Sequence, residues 1–425
     1  MKDSGIEWIG DIPQDWNIGR VKDGFLRKNS KANQENPIVL SLARSGIKIR
    51  DVSKNEGQLA ENFSNYNPVA IGDLLLNPMD LYSGANCNVS RLNGVISPAY
   101  INLKSKPGFN VHYFDYYFKT QYWSMAFFAH GKGISFDHRW TLNNETLRRY
   151  YIPIPSLHEQ QAIATYLDEQ AARLDQLIQD QQQVIEDWKS YKQSLITETV
   201  TKGLNPEVEM KDSGIEWMGE IPNHWEVKRL RNLGTTKSGL SNKTKEDFGF
   251  GNPFVNYRDV YKKDIIHATG LVDSTNDEII KFSIKRGDVL FTGSSETIQE
   301  LGMSSVALED VEDSTYSGFL IRFKPYPGQL HPEFSRFLFR SAAMREFLIR
   351  DDNSVTRSNL SQKKLKNMPV IIPPLHEQQQ IADFLDEKCS KIDQLIEDKQ
   401  RLIEDLKAYK QSLIHECVTG KKEIV

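Results

Sequence analysis

Apolar residues recur at alternating steps of three and four along two stretches of the chain, residues 157–202 and 375–420. This spacing places them on one face of an α-helix, and a heptad period is typical of helices that bury a common seam. The predicted seam comprises Leu167, Leu174, Leu177, Val184, Trp188, Tyr191 and Leu195 in the first stretch, and Leu385, Ile392, Leu395, Leu402, Leu406, Tyr409 and Leu413 in the second. Four isoleucines widen the seam, namely Ile178, Ile185, Ile396 and Ile403. The pattern predicts two long helices that pack against each other.

The two stretches are copies of one another, with 29 of 46 positions identical at an offset of 218 residues. Each predicted helix begins just after a proline, Pro155 in the first copy and Pro374 in the second. About 42 residues with a rise of 1.5 Å each predict rods of roughly 60 Å. Identity at this level indicates an internal duplication.

A less similar block of sequence precedes each helix. Short alternating apolar runs lie between Gly, Asn and Asp clusters, as in IGDLLL (71–76) and RGDVLF (286–291), and this pattern predicts strands and turns. Aromatic-rich helices are expected near residues 112–129 and 332–349. Each half therefore combines an α+β block with one long helix.

A shorter repeat is placed differently, with KDSGIEWIG at residues 2–10 and KDSGIEWMG at 211–219. The second copy follows the first helix, whereas the second helix is followed by no copy. If residues 1–19 pack at the end of the second helix, the halves become equivalent around a ring, and compact blocks can make both connections only between antiparallel helices. The predicted fold is α+β, with two globular domains at opposite ends of a pair of long antiparallel coiled-coil helices in a circular pseudo-twofold arrangement.

The predicted organisation has five segments. They are an N-terminal segment that completes the second helical repeat (1–19), a first globular domain (20–153), a central region with the first long helix (154–227), a second globular domain (228–371) and a C-terminal region with the second long helix (372–425).

The composition of the chain also predicts the cellular location of the protein. The chain of 425 residues has no run of about 20 apolar residues that could cross a bilayer, and its N-terminus, MKDSGIEW, has no apolar signal core. Cys87, Cys389 and Cys417 are too scattered for a disulfide or zinc framework and are expected to be reduced thiols. These features predict a cytoplasmic protein.

The net charge of −4 conceals a segregation along the chain. Residues 20–151 carry 17 Lys and Arg against 10 Asp and Glu, and residues 228–370 carry 22 against 18, while the other segments are acidic. The smaller excess by itself is compatible with chance variation. Two basic domains on a pseudo-twofold body match the local dyad of duplex DNA, and because their sequences differ, the predicted DNA site is bipartite, asymmetric and split by an unread spacer.

Several motifs stand out across the chain. They are IPSLHEQQ and YKQSLI in the helical repeats, the GIEW segments with Trp8, Trp16, Trp217 and Trp225, and the runs GDLLLN and GDVLFTGSS in the two blocks. Together these motifs resemble the specificity (S) subunit of type I restriction-modification systems. The resemblance covers essentially the whole chain. It implies two target-recognition domains, and a noncatalytic subunit that docks methyltransferase and restriction subunits.

The resemblance also implies partners and cofactors. The expected partners are double-stranded DNA, two methyltransferase (M) subunits and translocating restriction (R) subunits. No cofactor is expected in this chain, and S-adenosylmethionine, ATP and Mg²⁺ are expected in the partner subunits. The acidic helices would set the spacer between half-sites. Sequence alone favours plain solvation of their exposed faces, and the resemblance shifts the balance toward a docking surface for partner helices.

Basic, amide and aromatic side chains in the two domains are the candidates for DNA contact, because Arg and Lys engage guanine edges and phosphates while Asn and Gln engage adenine. The candidates in the first domain are Arg44, Lys48, Arg50, Asn77, Lys54, Tyr82, Lys132 and Arg139. Those in the second are Lys237, Asn242, Lys243, Lys245, Asn256, Arg258, Ser294, Ser295, Arg357 and Asn359. For each single residue, a solvated charge or a turn former is the alternative.

Two motifs that suggest catalysis are interpreted otherwise, and one basic stretch has two interpretations. HEQQ at 158–161 and 376–379 lacks the second histidine of the zinc-protease HExxH pattern. DFGFGNPF (247–254) fuses fragments similar to methyltransferase motifs in one loop-like stretch, where its glycines would shape a recognition loop, and KSGLSNKTK (237–245) is expected to be either a flexible DNA-following loop or an exposed connector.

Two other functions remain alternatives at the level of sequence. One is a single-chain DNA methyltransferase or nuclease, which would need a catalytic, cofactor or metal constellation, and no such constellation is found in the sequence. The other is a coiled-coil scaffold without DNA function, which would show no sequence-specific DNA protection in the presence of a methyltransferase partner.

Overall fold

The computed structural model describes residues 1–34, 36–43, 45–52, 63–79, 81–83, 86–133, 140–295, 297–298, 300–350 and 358–424. The chain divides into two compact units, of which unit 1 contains Met1–Gln182 and Arg401–Val425 and unit 2 contains Gln183–Gln400. Two long helices, the first at Leu157–Lys202 and the second at Leu375–Val418, each contribute residues to both units.

Unit 1 is built on a four-stranded antiparallel sheet with the strand order Phe25–Lys28, Ile101–Ser105, Leu74–Leu76 and Cys87–Val89. Its further strands form two-stranded pairs: Lys2–Asp3 with Asp11–Ile12, Asn17–Arg20 with Tyr151–Ile154, Leu40–Ala43 with Gly46–Ile49, and Asn67–Val69 with Gly94–Ile96. Its short helices are Val21–Gly24, Val111–Trp123, Ala126–Ala129 and Asn144–Arg149, with a 3₁₀ turn at Leu81–Ser83.

Unit 2 repeats this sheet with the order Gly234–Ser238, Leu320–Pro325, Val289–Thr292 and Ser304–Val306. Its other pairings are Met210–Asp212 with Glu220–Pro222, Glu226–Arg229 with Pro369–Ile372, Ser294–Ser295 with Ser358–Asn359, and a three-stranded sheet of Gly270–Val272, Phe248–Val255 and Thr315–Tyr316. Its short helices are Tyr257–Lys262, Asn276–Phe282, Pro332–Leu338, Ala342–Ile349 and Gln362–Lys366, with 3₁₀ turns at Leu230–Asn232 and Lys245–Asp247.

The predicted strand runs are therefore the same elements of two equivalent sheets, since Leu74–Leu76 and Val289–Thr292 both occupy the third position. The predicted aromatic-rich helices are present, but each is split in two. Met125 adopts a left-handed φ of 61° where the first breaks. In the second, the Ser341 side chain accepts from Met344 N at 3.4 Å and caps a new helix.

The N-terminal segment packs on the end of the second long helix, as the order of the repeats predicts. Ile12 and Trp16 share one core with Cys417 and Val418 of that helix, all of them buried. The phenolic hydroxyl of Tyr113, in the first domain, donates to the main-chain oxygen of Val418 at 2.9 Å. Unit 1 thus joins the first residues of the chain, its first domain and its last helical turns around one core.

The HEQ residues of each helical repeat fasten the short motif and the domain to the start of the long helix. The indole N–H of Trp16 donates to Glu159 Oε1 at 3.2 Å, and that of Trp225 donates to Glu377 Oε2 at 2.9 Å. The two contacts are equivalent, each within its own unit. The histidine of the HEQQ stretch is exposed at both positions, so the motif acts here through its acidic and amide side chains.

The following glutamine is fully buried in both units. Gln160 accepts from Asn110 N at 2.7 Å and donates to Gly108 O at 3.3 Å, both just before the helix Val111–Trp123. Gln378 accepts from His331 N at 2.8 Å and donates to Gln329 O at 3.2 Å, just before Pro332–Leu338. In each domain, one amide side chain therefore supplies hydrogen-bond partners to the buried backbone of the loop that precedes the aromatic-rich helix.

Within unit 1 the two long helices run antiparallel. Lys410 pairs with Asp175 at 2.7 Å, and further along the chain Lys422 lies over the Tyr166 ring at 5.7 Å, so residue numbers rise in one element as they fall in the other. In unit 2, Lys192 pairs with Asp393 at 2.6 Å.

The buried face of the helices agrees with the predicted seam only in part. Its buried members are Leu167, Leu174, Ile178, Ile185, Leu385, Ile392, Ile403 and Leu413. Leu177, Leu395 and Leu402 are about 40% exposed, and Tyr191 and Tyr409 are also exposed. One set of buried positions recurs every 11 residues, at Leu174, Ile185 and Ile196 and at Ile381, Ile392, Ile403 and Ile414. An 11-residue repeat has 3.67 residues per turn, close to the 3.6 of a straight helix, whereas a heptad drifts off the buried face by about 20° each time.

Candidate nucleic-acid interface

The structure describes five of the eight candidate residues in the first domain, namely Lys48, Arg50, Asn77, Tyr82 and Lys132. Arg44, Lys54 and Arg139 lie outside the described residues.

Asn77 follows the third strand of the sheet, and its N–H donates to Asn86 O at 2.9 Å. The side chain of Asn86 in turn donates to Ala43 O at 2.8 Å, in the hairpin that carries the exposed Lys48. The Asn77 side chain also accepts from Met79 N at 3.0 Å, which fixes its orientation. The hairpin and the end of the sheet are therefore joined through two asparagines.

The segment that carries Lys132 reaches the same end of the sheet, because Leu142 N donates to Pro78 O at 2.8 Å and Lys132 forms a backbone bridge with Thr141. Tyr82 is 61% exposed, with its ring 6.0 Å from that of Phe128. The structure thus gathers an amide, a cation and an exposed aromatic ring beside the third strand of unit 1.

In unit 2, three candidates adjoin the helix Asn276–Phe282. Lys243 forms an ion pair with Glu278 at 2.8 Å, and Asn242 Nδ2 lies 3.5 Å from the same carboxylate. Lys237 donates to Lys281 O at 3.3 Å. The sequence of the KSGLSNKTK stretch predicts either a flexible loop or an exposed connector, but its first two residues lie in the strand Gly234–Ser238 and the buried Leu240 anchors its centre.

A second group lies around the short strand pair of Ser294 with Asn359. Leu360 N donates to Gly293 O at 2.8 Å, and Gln362 Nε2 donates to Ser238 Oγ at 2.9 Å, next to Lys237. The hydroxyl and amide candidates therefore adjoin the basic ones across the end of the sheet.

Two candidates are engaged in holding the fold. Asn256 caps the helix Tyr257–Lys262 by accepting from Arg258 N at 2.8 Å, and Ser295 is buried and donates to Thr297 O at 2.5 Å. Lys245 and the Arg258 side chain are exposed to solvent. Arg357 lies outside the described residues.

The DFGFGNPF stretch forms a strand, Phe248–Val255, rather than a loop. Its pairing with Val272 shifts between Phe248 and Asn252, and the intervening Gly249 and Gly251 have φ values of 99° and 88°. Glycine is needed there because other residues rarely adopt positive φ, so these glycines shape a bulge within the strand.

Sequence reasoning missed Lys281 and Arg322, which meet Lys237 in unit 2. Lys237 and Arg322 are cross-strand partners, and Lys237 and Lys281 both lie over the ring of Phe282. Desolvation, together with the positive charges of Lys281 and Arg322, lowers the pKa of Lys237. The sequence can indicate at most the two strands that carry Lys237 and Arg322. It does not give their register, which places these two residues opposite each other only in the folded sheet.

The described residues hold no group of three or more His, Cys, Asp or Glu side chains that could bind a metal ion. In the same part of the chain, no helix is both long and apolar enough to cross a membrane.

Comparisons with known proteins bear on these two units. A family model described as Type I restriction modification DNA specificity domain matches residues 20–187 and 222–405. The type I restriction enzyme EcoBI specificity subunit of Escherichia coli is 22% identical over 425 residues, which cover 95% of this chain and 84% of that protein.

Two solved structures share the fold. One, from work on complex assembly and conformational transition of the type I R-M system, superposes with a TM-score of 0.74 at 16% identity, covering 97% of this chain and all of that chain. The other, the HsdS subunit of Thermoanaerobacter tengcongensis, superposes with a TM-score of 0.54 at 15% identity, covering 97% of this chain and 98% of that one.

Proposed function

Because the chain belongs to the type I restriction-modification DNA specificity family, we propose that its two units read the two halves of one bipartite, asymmetric DNA site. The chain is a specificity subunit, which is the noncatalytic DNA-recognition component of such a system. The observation that carries the proposal is that both units have the same sheet and the same hydrogen bond from a tryptophan to a glutamate of a long helix, Trp16 to Glu159 and Trp225 to Glu377. The side chains around the end of the sheet differ between the two units. Two equivalent sheets that carry different contact groups are suited to two different half-sites.

The proposed half-site contacts come from the described candidates that remain available to a ligand. In unit 1 they include Lys48, Tyr82 and Lys132, which are exposed around Asn77. In unit 2 they include Lys245 and Arg258. Base discrimination would come from the amide and arginine groups, and most lysine contacts would go to phosphates.

The proposed partners are two methyltransferase subunits, together with restriction subunits. Exposed apolar side chains on the long helices support docking, and among them each unit exposes a leucine and a tyrosine at equivalent repeat positions. These are Leu177 and Tyr409 in unit 1, and Leu395 and Tyr191 in unit 2. Two equivalent apolar sets are suited to two copies of one partner. S-adenosylmethionine, ATP and Mg²⁺ are proposed to bind in the partner subunits.

The test of DNA recognition is a map of methyladenine in a host that expresses this chain with its methyltransferase subunit. The expected result is one asymmetric motif in two parts with a spacer of fixed length. Arg258→Ala should then relax only one of the two parts. Methylation without a sequence motif would contradict the proposal, and methyl transfer by the purified chain alone would establish the single-chain enzyme instead.

The long helices are proposed to set the spacer. Seven residues inserted into both helices, after Gln182 and after Gln400, add about 10.5 Å to each. If the helices act as a ruler, the spacer lengthens by about three base pairs while both half-sites stay the same. An unchanged spacer in the methylation map would refute this role.

A further inference from the structure

Two lysines of unit 2 share one aromatic ring. The Lys237 ammonium lies 5.0 Å and the Lys281 ammonium 5.4 Å from the centre of the Phe282 ring, which is itself buried. Within the described part of the chain, neither ammonium has a carboxylate at ion-pair distance, and Lys237 donates only to the main-chain oxygen of Lys281 at 3.3 Å. The ring attracts both cations, but it does not neutralise either.

A third cation adjoins them from the neighbouring strand. Arg322 is the cross-strand partner of Lys237, and like charges directly opposite each other destabilise a sheet. Arg322 is held in place, since it donates to Ser283 O, lies over the Tyr316 ring at 5.5 Å and approaches Asp288 at 3.6 Å. Asp288 is the one carboxylate in this set, so the four charged groups carry a net charge of +2.

Unit 1 shows how the same position looks when it is neutral. Lys28 is the fourth residue of the first sheet strand, as Lys237 is in unit 2, and it pairs with Asp73 at 2.5 Å. Asp73 precedes the third strand of its sheet, as Asp288 does. The residue opposite Lys28 is Asn102, an uncharged amide that also donates to Asp73 at 3.2 Å. Unit 2 therefore replaces a neutral lysine–carboxylate pair by a cationic cluster.

We propose that Lys237 and Lys281, backed by Arg322, form a clamp for one or two backbone phosphates of the DNA bound by unit 2. This inference rests on the proposed function of the chain. A phosphodiester supplies the negative charge that the cluster lacks and removes the repulsion between the two ammonium groups. Lysine suits this contact because its ammonium acts as a point charge with three rotatable donors.

The clamp positions the DNA without reading its sequence. Lysine contacts to phosphate carry no base information, and the Arg322 guanidinium, which could read guanine, is already occupied by Ser283 and Asp288. The two lysines therefore contribute equally to target and non-target duplexes, and they fix the register of unit 2 on the double helix.

The experiment measures the salt dependence of duplex binding by the complex of this chain with its methyltransferase subunit, between 50 and 200 mM salt. Each phosphate contact contributes about 0.9 to the slope of log K against log salt, so each lysine removed should shrink the loss of affinity over this range about 3.5-fold. Lys237→Ala and Lys281→Ala are each expected to lower the slope by this amount, for target and non-target duplexes alike. Lys281→Arg should restore it, and the methylated sequence should not change.

Lys285→Ala is the matched control. Lys285 lies four residues beyond Lys281, but its ammonium is already paired with Asp310 at 3.0 Å, so its removal should leave the slope unchanged. The thermal midpoint of the free Lys281→Ala chain should equal or exceed that of the wild type, because a repulsion is removed.

Three outcomes are distinguishable. An unchanged slope in both lysine variants, or an equal loss in the control, overturns the clamp while leaving the proposed function in place. A changed methylation motif assigns the lysines to base reading and overturns the clamp as well. A wild-type complex that shows no sequence preference contradicts the proposed function itself.

Discussion

Lys410 donates to both carboxylate oxygens of Asp175, at 2.7 Å each, and its repeat equivalent Lys192 makes the same contact with Asp393. A shift of 218 residues converts Asp175 into Asp393 and Lys192 into Lys410. The two pairs are thus the same contact, made once in each unit with the two helices exchanged. Exposed ion pairs contribute roughly 0.2–1 kcal/mol, so these pairs mark the antiparallel register more than they stabilise it.

The exchange relation predicts that the chain tolerates circular permutation. A permutant that begins at residue 20 and carries residues 2–19 behind Val425 is expected to fold and to direct the same methylation, because those residues already pack beside Val418. The measurements are thermal unfolding and a methyladenine map. The control is a chain with residues 2–19 deleted, which should lose stability because Trp16 leaves the core. A permutant that folds but loses specific methylation would show that ring closure is not how the chain is organised.

The position of the buried helix face predicts that alanine substitutions at two adjacent residues have very different effects on the free energy of unfolding. Ile403 is 1% exposed and Leu402 is 39% exposed. Ile403→Ala is therefore expected to cost about 2–5 kcal/mol of unfolding free energy. Leu402→Ala should change it by about 0.5 kcal/mol or less, as is usual for surface positions. Denaturant titration of both variants measures the difference, and a larger loss at Leu402 would restore the heptad seam.

Sequence was sufficient for the helices and their circular order because both follow from repeats, which can be read directly. It included the exposed Leu177 and Leu402 in the seam together with their buried neighbours Ile178 and Ile403, because heptad and 11-residue patterns differ by less than 0.2 residue per turn and these isoleucines fit both. The structure resolves the choice by showing which positions lose contact with water.

The candidate site was harder to predict because its members meet only after folding. Asn256 and Lys243 carry suitable groups, but a helix cap and an ion pair engage them. Lys281 and Arg322 come from a helix and a strand that no local pattern connects with Lys237, and strand register alone sets Arg322 opposite it. Composition therefore predicts which residue types read DNA, while register decides which of them stand together.

The burial of Gln160 predicts that its substitution costs much more stability than the same substitution at the neighbouring Gln161. Gln160→Leu leaves Asn110 N and Gly108 O without a partner inside the protein, and an unsatisfied buried polar group costs about 1–3 kcal/mol. Gln161 is exposed, so Gln161→Leu is the matched control and should have little effect. Urea unfolding measures both variants. Equal stability of the two would mean that water replaces the amide and that Gln160 does not fasten the domain.

The hydrogen bonds of Glu159 predict that the stability of unit 1 decreases at acidic pH. Burial opposes its ionisation, but hydrogen bonds from Ser156 and from the Trp16 indole outweigh burial and hold the pKa of Glu159 below its ordinary value. A carboxyl group whose pKa is lowered on folding binds fewer protons in the folded state than in the unfolded one. Its stabilising contribution is therefore complete above the unfolded pKa of about 4.5 and is lost as the pH falls through the folded pKa.

Glu159→Gln should accordingly unfold at lower denaturant than the wild type at pH 7, with the difference shrinking steadily below about pH 4.5. The control is Glu169→Gln, which changes an exposed carboxylate of the same helix and should follow the wild-type profile. Unfolding midpoints between pH 3 and 7 measure both variants. A difference that persists unchanged to pH 3 would mean that the carboxylate charge is immaterial, and that Trp16 is held to the helix by packing alone.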